Sequence, residues 1–179
     1  MDVILITGNK NKAEYFRKLL GIDIEYVDID LDEIQSLDLR EVIRHKVIQA
    51  YNIVNKPVIV EDVSLEFEEF GKLPGTFIKF FLQELSIQNI CNLLNDKSRK
   101  AIARCIVGYY DGKNIKMFEG ELPGKIPESP TGEMGFGWDK IFIPDGYNIT
   151  RAEMNEEDDK KTYLKLKRLD LLKEFLESI

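Results

Sequence analysis

The segment LITGNKNKAEYFRKLL near the start of the chain places two lysines where an apolar strand pattern gives way to a helical one. A helix N-terminus has unpaired N–H groups and partial positive charge, so cations there are unfavourable unless an anion binds. Thr7, Gly8 and Asn9 can bring hydrogen-bond donors close to phosphate oxygens. Lys10 and Lys12 would then neutralise the charge. The motif predicts either a phosphate-binding turn or an ordinary strand–helix turn with solvated lysines.

A third lysine lies on the apolar face of a helix predicted over residues 39–55. At about 100° per residue, Lys46 falls within one stripe, whose other members are Leu39, Val42, Ile43, Val47, Ala50, Ile53 and Val54. Arg44 and His45 point away from it. Burying an unpaired ammonium costs several kcal/mol, so Lys46 either reaches the edge of the protein or faces an anion. We favour the anion.

Carboxylates follow two predicted strands. The apolar run PVIVED ends in Glu61 and Asp62, and the segment DIDLDEIQ contains Asp28, Asp30, Asp32 and Glu33. Neighbouring strand residues face opposite sides, so one acid of the first pair can enter a site at the end of its strand. Mg²⁺ takes one or two carboxylates together with phosphate oxygens. The acids therefore predict a magnesium site, with solvated strand ends as the alternative. His45 is the only histidine, which excludes a His-based zinc centre.

The loop GEMGFGWDKIFIPDG concentrates aromatic residues among glycines. Phe136 and Trp138 on such a loop suit stacking against a nucleobase, although a single tryptophan packed in the core is the alternative. Lys79, in LPGTFIKFFLQEL, lies opposite an apolar stripe, and it is a solvated lysine unless its helix lines the site.

The positions of these residues depend on an alternation of strands and helices. Strand patterns cover residues 3–7, 24–29, 57–62, 101–110 and 115–122, and helical periodicity covers 11–20, 39–55, 77–95 and 160–178. A hairpin is predicted at residues 111–114, and the loop-rich segment 120–158 is long enough to be functional. We predict a single α/β domain over residues 1–179, with a mixed sheet flanked by helices.

Composition narrows the class of protein. The chain has 179 residues and a formal net charge of −7, which disfavours binding to long nucleic acids. Cys91 and Cys105 lack metal-ligand spacing and are interpreted as reduced, buried thiols of a cytosolic protein. Neither a signal peptide nor a membrane-spanning run is predicted, and we expect a cytoplasmic location without membrane partners.

Taken together, the motifs resemble the inosine/xanthosine triphosphate pyrophosphatase family. The matching stretches follow in family order and spacing over nearly the whole chain: TGNKNK (7–12), DLDEIQ (30–35), Lys46, VEDVSL (60–65), LPGTFIKFF (73–81), FGWDKIFIPDGY (136–147) and TRAEM (150–154). The resemblance implies a two-lobed mixed α/β fold with the site in a central cleft, usually as a homodimer. It also implies Mg²⁺-dependent cleavage between the α and β phosphates of a nucleotide.

The resemblance also implies residue roles. The triphosphate would be held by Thr7, Gly8, Asn9, Lys10, Asn11, Lys12, Lys46 and Lys79. Glu33 and Asp62 would bind the metal, and Asp62 would be the base for the attacking water. Val63 would line the substrate, at a position where the family usually has Ser or Thr. One wall of the base pocket would consist of Phe136, Gly137, Trp138 and Asp139.

Several positions depart from the family pattern. Tyr163-Leu164-Lys165 replaces the Ser-His-Arg that reads the purine edge, Thr131 replaces an arginine, and Lys140 replaces a proline. Asp159 aligns with a family lysine, and the adjacent Lys160 could substitute. Leu164 also falls in an apolar stripe of the helix predicted over 160–178, together with Leu171, Leu172 and Phe175.

The expected activity is hydrolysis of ITP, dITP and XTP to the nucleoside monophosphate and pyrophosphate, and the departures from the family pattern leave open whether the base preference is relaxed. Lys160 and Lys165 are the candidates to face the purine edge. Two alternatives stay open at this stage: a pyrophosphatase for modified pyrimidine triphosphates, and a non-catalytic nucleotide-binding protein.

Overall fold

The computed structural model describes residues 2–179, and strands and helices alternate along them as predicted. The strands are β1 (Ile4–Ile6), β2 (Glu25–Val27), β3 (Val58–Phe67), β4 (Pro74–Gly75), β5 (Lys100–Tyr110), β6 (Ile115–Lys125) and β7 (Ile143–Pro144). The helices are α1 (Lys10–Leu20), α2 (Leu39–Val54), α3 (Ile78–Glu84), α4 (Ile87–Asn92), α5 (Glu156–Lys167) and α6 (Leu169–Glu177). The predicted α/β class is confirmed.

The sheet is mixed and has the order β2-β1-β3-β5-β6-β7, with β4 paired to β3. β1 runs parallel to both β2 and β3, whereas β4 and β7 run antiparallel to their partners. The predicted hairpin joins β5 to β6. Its turn is fixed by Asp111, whose carboxylate accepts hydrogen bonds from the backbone N–H groups of Lys113 and Asn114, at 2.8 and 2.7 Å.

The chain forms two compact units. Of the described residues, the first unit contains 2–62, 105–120 and 167–179, and the second contains 63–104 and 121–166. The core of the first unit consists of Ile4, Ile6, Leu39, Ile43, Val47, Ala50, Val58, Val60 and Ile106. Gly108 of β5 allows α2 to pack closely, because a Cβ atom there would collide with Ile43. Ile43 and Val47 of α2 also share this core with Val58 and Val60 of β3, the strand that carries Glu61 and Asp62.

Helix α2 has well-defined ends, and most of its predicted apolar stripe is buried. Asp38 accepts a hydrogen bond from the N–H of Arg40 at the N-terminus, and Asn55 in the left-handed conformation ends the helix. Lys46 lies on the buried face, as predicted. The prediction for Ile53 is wrong: its side chain is 52% exposed, because it lies in the last turn of the helix. His45 is half-buried rather than fully on the surface.

Two of the predicted helices are each divided. The segment 77–95 contains α3 and α4, separated by Leu85 in an extended conformation. The segment 160–178 is interrupted at Arg168, which has a φ of 49°. This break changes the helical phase after Arg168. Leu172 is buried as predicted, but Leu171 is exposed and Leu164 is only half-buried, contrary to the predicted stripe. Lys167 lies on the buried face instead.

Cys91 and Cys105 are both free and buried, as predicted. Within residues 2–179, none of the helices has the length and apolar character needed to cross a membrane.

Candidate active site

In the first unit, the parallel pairing of β1 with β2 and with β3 ends at one edge of the sheet. Ile6, the last residue of β1, pairs with Val27 at the end of β2 and with Val60 of β3. Glu61 and Asp62 are therefore the first residues of β3 beyond the end of its parallel neighbour. Ligand sites of open α/β sheets typically lie at this edge.

The prediction that β3 itself ends at Glu61 and Asp62 is wrong, because the strand continues to Phe67. Ser64, Leu65 and Phe67 are buried and continue the strand beyond the acids. Charged side chains can occupy the middle of this strand because each carboxylate is paired with lysine.

On one face of β3, the carboxylate of Glu61 is shared by two lysines. Its Oε1 atom lies 2.8 Å from Nζ of Lys12 in α1 and also accepts a hydrogen bond from Nζ of Lys167. Burial alone would raise the pKa of Glu61, but the two ammonium groups outweigh burial and lower this pKa to about 2. Glu61 is therefore ionised at neutral pH, and its carboxylate forms an ion pair with Lys12.

On the opposite face, Lys46 of α2 bridges two acids. Its Nζ atom donates to Oδ2 of Asp62 at 2.6 Å and to Oε1 of Glu33 at 3.2 Å. Burial would lower the pKa of Lys46, but the carboxylates of Asp62 and Glu33 outweigh burial and raise it above the ordinary value. The predicted anion partner of Lys46 is thus provided, in this structure, by the protein's own carboxylates.

Glu33 lies in the irregular segment between β2 and α2, and this segment is tied to α2. The backbone N–H of Asp32 donates to Oε1 of Gln49 at 2.8 Å, and Nε2 of Gln49 donates back to the Asp32 carboxylate at 2.9 Å. Ser36 also donates to Glu41 at 2.7 Å. These bonds place the exposed Glu33 carboxylate beside the Lys46 ammonium.

The turn from β1 into α1 uses its polar side chains for local structure. Oγ1 of Thr7 accepts from the N–H of Asn9 at 3.2 Å, and Oδ1 of Asn9 accepts from the N–H of Lys12 at 3.1 Å. Gly8 permits a close approach of Asp28, whose Oδ1 would lie 2.7 Å from a Cβ atom at that position. The first turn of α1 contains no acidic residue, so its N-terminus is electrostatically suited to an anion.

Two predicted phosphate ligands in this turn lie at the surface. Lys10 is exposed and forms an ion pair with Glu14 at 3.7 Å, and Asn11 is exposed next to it. Their roles stay predictions.

The remaining predicted substrate residues belong to the second unit. Val63 is half-buried, and the exposed lysines are Lys79 on α3 and Lys160 and Lys165 on α5. Substrate binding by these residues stays a prediction.

The aromatic loop of the second unit separates its two rings. Phe136 is 52% exposed, whereas Trp138 is buried and packs edge-to-face on Phe142 at a centroid distance of 5.4 Å. Gly137, with a φ of 62°, connects them. Asp139 is buried, and its Oδ2 atom accepts a hydrogen bond from the N–H of Phe136 at 3.0 Å. The loop therefore offers Phe136 for stacking and uses Trp138 for packing.

Two charged residues of this cluster are not among the site residues predicted from the sequence. Glu61 is predicted only as one of two adjacent acids of which one can enter the site, and no sequence motif indicates Lys167. The signal for Lys167 is the one that identified Lys46, a lysine on the buried face of a helix. Lys167 follows Leu164 by three residues and precedes Leu171 by four, so it adjoins the apolar stripe of the helix predicted over 160–178.

The carboxylates of Glu33 and Asp62 suit magnesium better than a metal ion that takes all of its ligands from the protein. In the part of the chain that the structure describes, no three acidic, histidine or cysteine side chains form a metal-binding group. The Glu33 and Asp62 carboxylates, however, both lie within 3.2 Å of the same Lys46 nitrogen. Two converging carboxylates fit Mg²⁺, which obtains its other ligands from phosphate and water.

Comparisons with known proteins agree with this architecture. A family model described as the Ham1 family matches residues 3–175. Inosine triphosphate pyrophosphatase 2 of Trypanosoma cruzi (strain CL Brener) is 39% identical over 176 residues, covering 96% of this chain and 90% of the relative. Inosine triphosphate pyrophosphatase of Scheffersomyces stipitis is 37% identical, with 98% of each chain covered.

The structure of the Staphylococcus aureus Ham1 protein superposes with a TM-score of 0.82 at 26% identity, covering 98% of both chains. The match to the family model over almost the whole sequence, together with these relatives, leads to one conclusion. The chain belongs to the Ham1 family.

Proposed function

We propose that this chain is a Mg²⁺-dependent pyrophosphatase that hydrolyses ITP, dITP and XTP to the nucleoside monophosphate and pyrophosphate. The observation that carries the proposal is the Lys46 ammonium bridging Asp62 and Glu33, one residue along β3 from the Lys12–Glu61 pair. The names of the relatives support the substrate class, since they are inosine triphosphate pyrophosphatases.

The lysines are suited to holding polyphosphate. Hydrolysis of a phosphoanhydride needs neutralisation of charge and in-line placement of water more than covalent catalysis. Lys12 is 20% exposed and anchored by Glu61, and it extends from the first turn of α1. Lys46 can exchange its carboxylate partners for phosphate oxygens. The N-terminus of α1 adds further positive potential.

Asp62 is the proposed base, which orients the attacking water and accepts its proton. Its side chain is 23% exposed, so it can reach both water and Lys46. Glu33 and Asp62 would hold Mg²⁺. The bound ion would supply positive charge to the phosphate oxygens and make water more acidic.

The site of base recognition is proposed to lie in the second unit, at the exposed Phe136 ring and the buried Asp139. Because Tyr163-Leu164-Lys165 stands where the resemblance expects Ser-His-Arg, we expect weaker discrimination between bases than that motif would provide. A homodimer and a cytoplasmic location are part of the proposal. Sedimentation equilibrium would test the dimer.

A panel of nucleoside triphosphates tests the proposal. Purified protein with Mg²⁺ should release pyrophosphate from ITP, dITP and XTP faster than from ATP, GTP, CTP and UTP. Equal turnover of ATP and ITP would remove the claim of base discrimination. Preferential turnover of modified pyrimidine triphosphates would reassign the substrate, and binding without turnover would indicate a nucleotide-binding protein.

A further inference from the structure

A buried arginine in the second unit joins three parts of the chain. Arg151 is 5% exposed and lies just before Ala152 in a 3₁₀ turn. Its Nη2 atom donates to Oδ1 of Asp159 at 2.9 Å, and its Nε atom lies 3.6 Å from Oδ1 of Asp139. The guanidinium carbon is 5.8 Å from the centroid of the Tyr163 ring. One cation therefore links the aromatic loop with helix α5.

The carboxylate of Asp139 contacts both Arg151 and Phe136. Its Oδ1 faces Arg151, and its Oδ2 accepts the hydrogen bond from the N–H of Phe136. Gly135 makes the tight loop possible, because it has a φ of 76° and a Cβ atom there would clash with Asp139. Asp139 thus connects the backbone of Phe136 to the guanidinium of Arg151.

The charges around Arg151 are consistent with the positions at which the sequence departs from the family pattern. Asp159 stands where the resemblance expects a lysine, and Arg151 places a cation next to it. Nε of Arg151 has no hydrogen-bond partner among the described residues, although it is buried. A shift of about half an ångström would bring it into hydrogen-bond range of Asp139.

We propose that Arg151 is a positioning residue for base recognition. It holds Asp139, and through Asp139 it holds the loop that presents Phe136 to the base of a nucleotide. This inference rests on the proposed function, because it assumes that the loop contacts the base. Without Arg151, the buried Asp139 and the nearby Asp159 would lose their shared cation, and the loop would lose its anchor.

The test separates recognition of the base from recognition of phosphate. Arg151→Met is compared with the wild type for the KM of ITP and for inhibition by tripolyphosphate, which has no base. We expect the KM of ITP to rise about tenfold, while the inhibition constant of tripolyphosphate stays within about twofold and kcat changes less than KM. Arg151→Lys keeps the charge and should recover part of the loss.

Arg104→Met is the matched control, because Arg104 also lies between two carboxylates of the second unit, those of Glu66 and Glu121. It should leave the KM of ITP within about twofold of the wild type. Equal changes for ITP and tripolyphosphate in Arg151→Met, or an unchanged KM of ITP, would overturn the proposal.

Folding and catalysis are separated by two further measurements. If Arg151→Met shows no thermal transition, Arg151→Lys carries the test: a raised KM of ITP with an unchanged inhibition constant of tripolyphosphate is expected, and an unchanged KM of ITP counts against the proposal. If the wild type does not hydrolyse ITP, the proposed function fails on its own. Fluorescence of the single tryptophan, Trp138, can then be used to measure the binding of IMP and of tripolyphosphate to the wild type and to Arg151→Met. Selective loss of IMP binding in the variant supports the role of Arg151, and equal loss of both contradicts it.

Discussion

Nζ of Lys46 lies 2.6 Å from Oδ2 of Asp62, and the same nitrogen lies 3.2 Å from Oε1 of Glu33. Two acids from separate segments therefore converge on a single buried cation. The contact brings together α2, the segment before it and β3. Because the two carboxylates share one ammonium group, removing any of the three charges leaves the others unbalanced.

Lys46→Met should abolish most activity. The substitution removes the cation from Asp62 and Glu33 and deprives the proposed phosphate site of a buried positive charge. We expect kcat/KM for ITP to fall about 100-fold or more, as is typical when preorganised charge is lost from a phosphoryl-transfer site. Arg44→Met, at an exposed position of the same helix, is the control and should behave like the wild type. Similar kinetics for the two variants would contradict the role of Lys46.

Glu61 should make stability depend on pH. Its pKa is about 2 in the folded chain and 4.5 ordinarily, so the unfolded chain binds more protons between these values. The stabilisation, roughly 3 kcal/mol at neutral pH, is complete above pH 4.5 and is lost as the pH falls towards 2. Urea unfolding in chelator-treated buffer should show this loss in the wild type.

Glu61→Gln should be less stable at pH 7 and should lose less stability between pH 5 and pH 3, because it lacks the titrating carboxyl. An identical pH dependence in the variant and the wild type would show that Glu61 is not the group responsible.

Much of this site follows from periodicity. The 3.6-residue period of α2 predicts that Lys46 lies on its buried face, and apolar runs predict the strands that precede or contain the acids. Adjacent residues of a strand face opposite sides, which is why Glu61 and Asp62 bind different lysines. Local sequence is sufficient for these features.

Other features depend on tertiary contacts. The strand β3 continues past its acids because lysines from α1, α2 and α5 neutralise them, and no local pattern contains that information. The break at Arg168 places a non-glycine residue in the left-handed region, where sequence gives little warning. The burial of Arg151 likewise depends on two acids from other segments of the second unit.

Glu33→Gln should weaken the binding of Mg²⁺. The substitution keeps the size of the side chain but removes one of the two proposed carboxylate ligands, so more Mg²⁺ should be needed for half-maximal turnover. Isothermal titration calorimetry with Mg²⁺ and a non-hydrolysable ITP analogue would measure the effect directly. Asp32→Asn removes a neighbouring charge and can keep the bond to Gln49, so it should change the Mg²⁺ requirement little. Equal effects in both variants would argue against Glu33 as a ligand.

The two cysteines should resist alkylation in the folded protein. Burial raises the pKa of Cys91 to about 11 and that of Cys105 to about 12. The reactive thiolate is therefore scarce, about one in a thousand and one in ten thousand respectively at pH 8. Iodoacetamide labelling followed by mass spectrometry should show both sites unmodified in native buffer and modified in urea. Labelling of the native protein at the rate seen in urea would contradict the burial of these thiols.

Asp62→Asn provides the most direct test of the central claim, that acids and lysines of the first unit jointly act on a magnesium-bound polyphosphate. Asparagine keeps the shape of the side chain but cannot act as a base. We expect kcat for ITP to fall by about 10²–10⁴-fold, while ITP binding measured by calorimetry in the presence of Mg²⁺ stays within about tenfold of the wild type. Turnover close to that of the wild type would contradict the account.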